Sequence, residues 1–106
     1  MEAKKTYLID TEVYSLHYSI GRMETIENVI GCSVADLAGS LREHRLPTIG
    51  RVKTLFAYGM MTDGGVYAPV KKALEFADVE LQENGYAAML DAVLEQIAED
   101  CDFLFR

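Results

Sequence analysis

Few side chains in this sequence are of types that do chemistry, and their spacing offers little support for it. Glu24 and Glu27 lie three residues apart in a stretch of helical periodicity, so both can share one helix face. Paired carboxylates can hold a cation or exchange protons. A di-metal bundle, however, wants Glu-x-x-His, and the residue three beyond Glu27 is Ile30. The pair reads as a solvated or hydrogen-bonding face. Of the two histidines, His17 alternates with Leu16 and Tyr18 and points to the solvent side of a strand pattern. His44 sits in "REHR" at a helix end, where a cation suits the dipole.

Cys32 and Cys101 are far apart, and neither has a Cys or His neighbour at metal-ligand spacing. Both fall on apolar helix faces and read as buried, reduced thiols. A nucleophilic Cys–His pair would need one of them brought to His17 or His44, and no local motif supports that. "DGG" at Asp63–Gly65 lacks the spacing of a phosphate loop and follows no strand pattern, so it reads as a turn. The expectation is a chain with no catalytic residue, no metal ligand and no cofactor.

The elements that position these residues follow from periodicity. "TYLIDTEVYSLHYS" reads as a β-hairpin over residues 5–18, turning at Asp10-Thr11, with Tyr14, Leu16 and Tyr18 on its apolar side. At Ser19 the period changes. Ile20, Met23, Ile26, Val29 and Ile30 recur at helical spacing, with Ser19 as N-cap and Gly31 as the stop. "SVAD" from Ser33 resembles a capping box with Asp for Glu, and opens a second helix to about His44, striped by Val34, Leu37, Ala38 and Leu41. Pro47 breaks it and is placed to begin a third helix carrying Ile49, Val52, Leu55, Phe56 and Met60. "MTDGG" ends that helix. Pro69 opens a fourth, up to Asn84-Gly85, with a break near Asp78 left open.

The last, "YAAMLDAVLEQIAEDCDFLFR", keeps a wide apolar stripe for five turns, with Asp91, Glu95, Glu99, Asp100 and Asp102 opposite. The fold class expected is mainly α: one domain over 1–106, with a hairpin at 5–18 and about five helices in 19–106.

Composition narrows the function classes. With 106 residues, half of them apolar, the chain suits one small domain with a core. No apolar run is long enough for a membrane span. "MEAKKTYLID" has two lysines but no apolar stretch behind them, so it does not read as a leader, and a cytoplasmic location is expected. The net charge of −7 is lopsided: residues 61–106 hold ten acidic and three basic side chains. Such a surface opposes nucleic-acid binding. The one stretch with DNA-binding flavour is the second and third helices, with Arg42, Arg45, Arg51 and Lys53, but a Pro-led break replaces the tight turn of a helix-turn-helix. Two apolar groups suggest a partner surface instead. Tyr58, Met60 and Met61 surround a glycine at a helix end, and Phe103, Leu104 and Phe105 crowd the terminus. Methionine-rich and terminal aromatic surfaces can receive apolar partner helices. Core packing is the alternative for both groups.

The order of these features resembles the tail assembly chaperone family of long-tailed bacteriophages and gene transfer agents. The stretches that carry the resemblance are "YSLHYSIGRMETIENVIGCSVADLAGSL" and "LPTIGRVKTLFAYGM", then a polar spacer and a long amphipathic helix. Members tend to open with a strand pair ending in an aromatic-rich strand. A helix follows with a glutamate before a glycine-terminated turn, matched by Glu27 and Gly31. Later comes an apolar–Gly–apolar step, matched by Tyr58–Met60. The segment "DGGVYAPVKKALEFADVELQENG" departs from the pattern. The resemblance implies a non-enzymatic protein of the infected or lysogenic host's cytoplasm, absent from the mature virion. It would bind the tape measure protein, keep it soluble while tail tube protein polymerises around it, and act without nucleic acid or membrane. A homo-oligomer stays open, as does a longer frameshifted product. The rival readings are a tail structural protein (tube or completion subunit) and a small helix-turn-helix regulator.

Overall fold

The computed structural model describes residues 5–105. The first four residues, on which part of the leader reading rests, and Arg106 lie outside the described residues. The chain forms β1 (Tyr7–Ile9), β2 (Glu12–Leu16), α1 (Ile20–Ile30), α2 (Val34–Arg42), α3 (Ile49–Gly59), β3 (Met60–Thr62), α4 (Val70–Asn84) and α5 (Tyr86–Asp100), then a short 3-10 helix, Asp102–Phe105. It is mainly helical, with five α-helices and an N-terminal antiparallel strand pair, as the periodicity predicts.

The caps show why the helices begin and end where they do. Ser19 Oγ accepts from the Arg22 N–H at 3.1 Å, which meets one of the unpaired donors of the first turn of α1. Gly31 ends α1 in the left-handed region, at φ 74°, with its N–H donating to the Glu27 carbonyl. Ser33 caps α2 through the Asp36 N–H. The other half of the expected capping box comes from elsewhere: the Glu27 carboxylate accepts from the Val34 N–H at 2.8 Å. His44 ends α2 at φ 62°, with its own N–H donating to the Leu41 carbonyl and the Arg45 N–H to the Ser40 carbonyl. That pattern is a Schellman motif with histidine where glycine is commonest. Thr48, one residue later than the expected Pro47 start, caps α3. The fourth helix runs through Asp78 without a break, and the single residue Gly85, at φ 90°, joins it to α5.

The sheet differs from the sequence reading. The order is β1-β2-β3, all antiparallel, with Tyr14 opposite Thr62 and Leu16 opposite Met60. Met60 therefore leaves the helix and becomes a strand residue inside the stretch read as helical. Three residues are too few to show an alternating period, so the strand reads as a helix tail. Its pairing with β2 and the Thr62–Val66 turn behind it hold it extended.

The centre of the core is α3, which packs on α1, α4 and α5. Phe56 is fully buried, with the Tyr7 ring edge-on at 5.0 Å and the Phe76 ring at 6.3 Å. Tyr18, at the end of the aromatic strand, is buried against Gly59, and its hydroxyl donates to the Leu55 carbonyl at 2.7 Å. By contrast, α2 is the helix least closely joined to the others.

Candidate partner-binding groove

An apolar groove opens between α2 and the α3–α5 pair, with about 350 Å³ of space that includes its opening to solvent. One bank is the stripe of α2: Val34, Leu37, Ala38 and Leu41. The other is Leu90, Val93, Leu94 and Ile97 of α5, spaced three and four apart so that they share a face. Leu55 and Pro47 close the floor and one end, and Phe105 stands at the wall. The groove exists because α2 carries a full apolar stripe on only nine residues and approaches the core without packing flush against it. Exposed apolar residues extend it at both ends. Leu46 and Ile49 flank Pro47, at 65% and 63% exposure, and Phe103 stands beside the Phe105 end. The Tyr86 hydroxyl donates to the Pro47 carbonyl at 2.6 Å and fixes that end to the start of α5.

The two candidate partner groups fare differently. Phe103 and Phe105 are 44% and 41% exposed, and Phe105 reaches the groove. Leu104 packs against the core. All three lie on the 3-10 helix; the apolar stripe of α5 stops at Cys101 and does not run on for five turns. The other group does not form a surface. Met60 is fully buried in β3 and cannot meet a partner in the folded state. Met61 is half-buried on the outer side of the same strand. Tyr58 is half-buried, and its ring shares the Arg22 guanidinium with Tyr67, at 4.9 Å and 4.1 Å. The Arg22 Nε–H also donates to the Tyr58 carbonyl, so this ring is held by an internal cation–π contact. Sequence reading missed Leu37, Leu41, Leu94 and Pro47 as groove residues. Their stripe spacing was visible, but spacing is the same whether a face meets core or solvent.

The polar groups singled out by type are structural in their contacts. Glu24 is exposed. Glu27 places its carboxylate at the positive end of α2, where a charge-assisted bond is favoured. Asp100, expected on the solvent face, is mostly buried; its Oδ2 accepts from the Tyr18 N–H and the Gln96 amide, both at 2.9 Å. His17 Nδ1 lies 3.5 Å from that same oxygen, on a half-exposed ring. The fold thus brings His17 and Cys101 into one neighbourhood, which no local motif announces. Yet Cys101 is fully buried, its thiol donates to the Tyr18 carbonyl, and burial with the Asp100 charge pushes it up from its ordinary value. A thiol held protonated is a poor nucleophile. Of the cations on the helix-turn-helix-like stretch, Lys53 pairs with Asp78 and Arg45 with Glu43. Among the described residues no group of three potential metal ligands forms, and no helix is long and apolar enough to cross a membrane.

Comparison with protein-family models, with curated proteins and with solved structures finds no match to this chain.

Proposed function

We propose that the chain is a phage tail assembly chaperone that holds an apolar helical stretch of the tape measure protein during tail assembly. The observation that carries this reading is the groove: an open, wholly apolar trough between α2 and α5 with Phe105 at its wall. A protein that keeps an amphipathic helix soluble needs such a trough and a hydrophilic outside, and α5 supplies the latter through Asp91, Glu95 and Glu99. Two contacts make physical sense of the family-like residues. Glu27 ties α1 to α2, and Gly59 admits the ring of Tyr18.

The reading is tested by co-expression with the large, helix-rich protein encoded beside this gene. Co-purification and a rise in that protein's soluble fraction are expected. Phe105→Ser should reduce both while the domain's melting temperature stays within a few degrees, because the side chain is 41% exposed. Failure of the wild-type chain to co-purify, or no effect of Phe105→Ser in a folded domain, removes the reading. Mass spectrometry of purified particles separates it from a tail structural protein, which would remain in them.

A further inference from the structure

The groove has a direction, a length and a charged margin, and together these describe its occupant. It follows α5 from Pro47, pinned to Tyr86 at the start of that helix, to Phe105 beyond its end. Fifteen helical residues at 1.5 Å each span roughly 22 Å, so the apolar track matches a partner helix of about four turns. Exposed Leu46 and Ile49 at one end and Phe103 at the other lengthen the contact beyond the trough itself. On α5 the groove stripe of Leu90 and Leu94 is bordered on the open side by Asp91 and Glu95, one turn apart and both exposed. From Tyr86 to Asp100 the helix carries Asp91, Glu95, Glu99 and Asp100 and neither lysine nor arginine. The margin of the trough along α5 is therefore acidic throughout.

We propose that the groove selects one amphipathic α-helix whose apolar stripe is flanked, on the side that meets α5, by lysine or arginine at i and i+4. The apolar stripe fills the trough, and the basic flank meets Asp91 and Glu95. The same helix with an acidic flank is repelled by those two carboxylates. This rests on the proposed chaperone function only in using the same groove, and it does not depend on the partner being a tape measure protein.

The test uses the full chain and two fluorescent 16-residue helical peptides, alike in their leucine stripe and differing in a lysine or glutamate flank. Anisotropy titration at low and moderate salt should show the lysine peptide binding at least tenfold tighter, with the gap narrowing as salt rises. Asp91→Lys with Glu95→Lys, both on exposed positions, should reverse the order of the two peptides. Leu94→Asp should abolish binding of both; far-UV circular dichroism checks that it folds, and Phe105→Ser serves as the second groove variant. Equal binding of the peptides, no binding of either, or a preference untouched by the double charge change overturns the inference. If the tape measure protein co-purifies while the charge preference is missing, the chaperone reading stands and this one falls. If the lysine peptide binds in the groove while no tape measure protein co-purifies, the reverse holds.

Discussion

Gly59→Ala is the sharpest test of how this core is assembled. A β-carbon at residue 59 would lie 2.6 Å from Cζ and Oη of Tyr18 and 2.8 Å from its Cε1. Those are ring atoms of a side chain that is 1% exposed and anchored through its hydroxyl to the Leu55 carbonyl. The ring cannot swing to solvent, so either it or the end of α3 must move. Overpacking of this kind costs about 1–3 kcal/mol. A shift that breaks the Tyr18–Leu55 bond strands a buried hydroxyl and carbonyl, for about 1–3 kcal/mol more. Against this, alanine favours helix over glycine by at most about 1 kcal/mol, less at a last helical residue. The net expectation is a loss of roughly 2–4 kcal/mol, read by urea unfolding monitored by circular dichroism. In a domain of this size that lowers the melting temperature by roughly 10 °C or more. Gly39→Ala, within α2 and with nothing within 4 Å of the added carbon, is the control and should gain up to about 1 kcal/mol. Tyr18→Leu should relieve part of the Gly59→Ala loss in the double variant. If Gly59→Ala is within about 0.5 kcal/mol of wild type, or more stable, the argument from the Tyr18 contact is wrong.

Two other outcomes are expected of the same domain. Glu27→Ala should cost about 1 kcal/mol by loss of the bond to the first turn of α2, and should speed amide exchange at Val34, while Glu27→Gln should keep part of it; unchanged exchange at Val34 would show that the carboxylate does not hold that turn. Burial, with the Glu80 charge, pushes Tyr7 up to about 12, and burial above all raises Tyr18 as well. For raised folded-state values the stabilisation is complete below pH 10, the unfolded value, and is lost as pH climbs toward the folded ones. Stability should therefore fall between pH 10 and about 12 by up to ~1.4 kcal/mol per pH unit for each tyrosine; Tyr7→Phe should make that slope shallower, and an unaltered slope would count against the assignment.

Much of the fold was legible in the sequence because it depends on local rules. Helix stops and starts at Ser19, Gly31, Ser33 and Gly85 follow from which side chains can satisfy the unpaired groups of a helix end or tolerate a left-handed backbone, and those requirements involve residues only a few positions apart. The aromatic strand and the apolar stripes followed from periods of two and 3.6 in the same way. What the sequence left open is set by contacts between distant residues. Whether Met60 ends a helix or enters a sheet depends on β2, more than forty residues earlier. Whether Asp100 faces water or accepts the Tyr18 N–H depends on where α5 crosses the start of α1. The groove is of the same kind. The apolar stripe of α2 is plain in the sequence, but only the packed structure decides that this face stops short of α5 and leaves a trough open beside Phe105. A period tells which residues share a face; the partner that covers the face, or its absence, is fixed by the three-dimensional arrangement of the other elements.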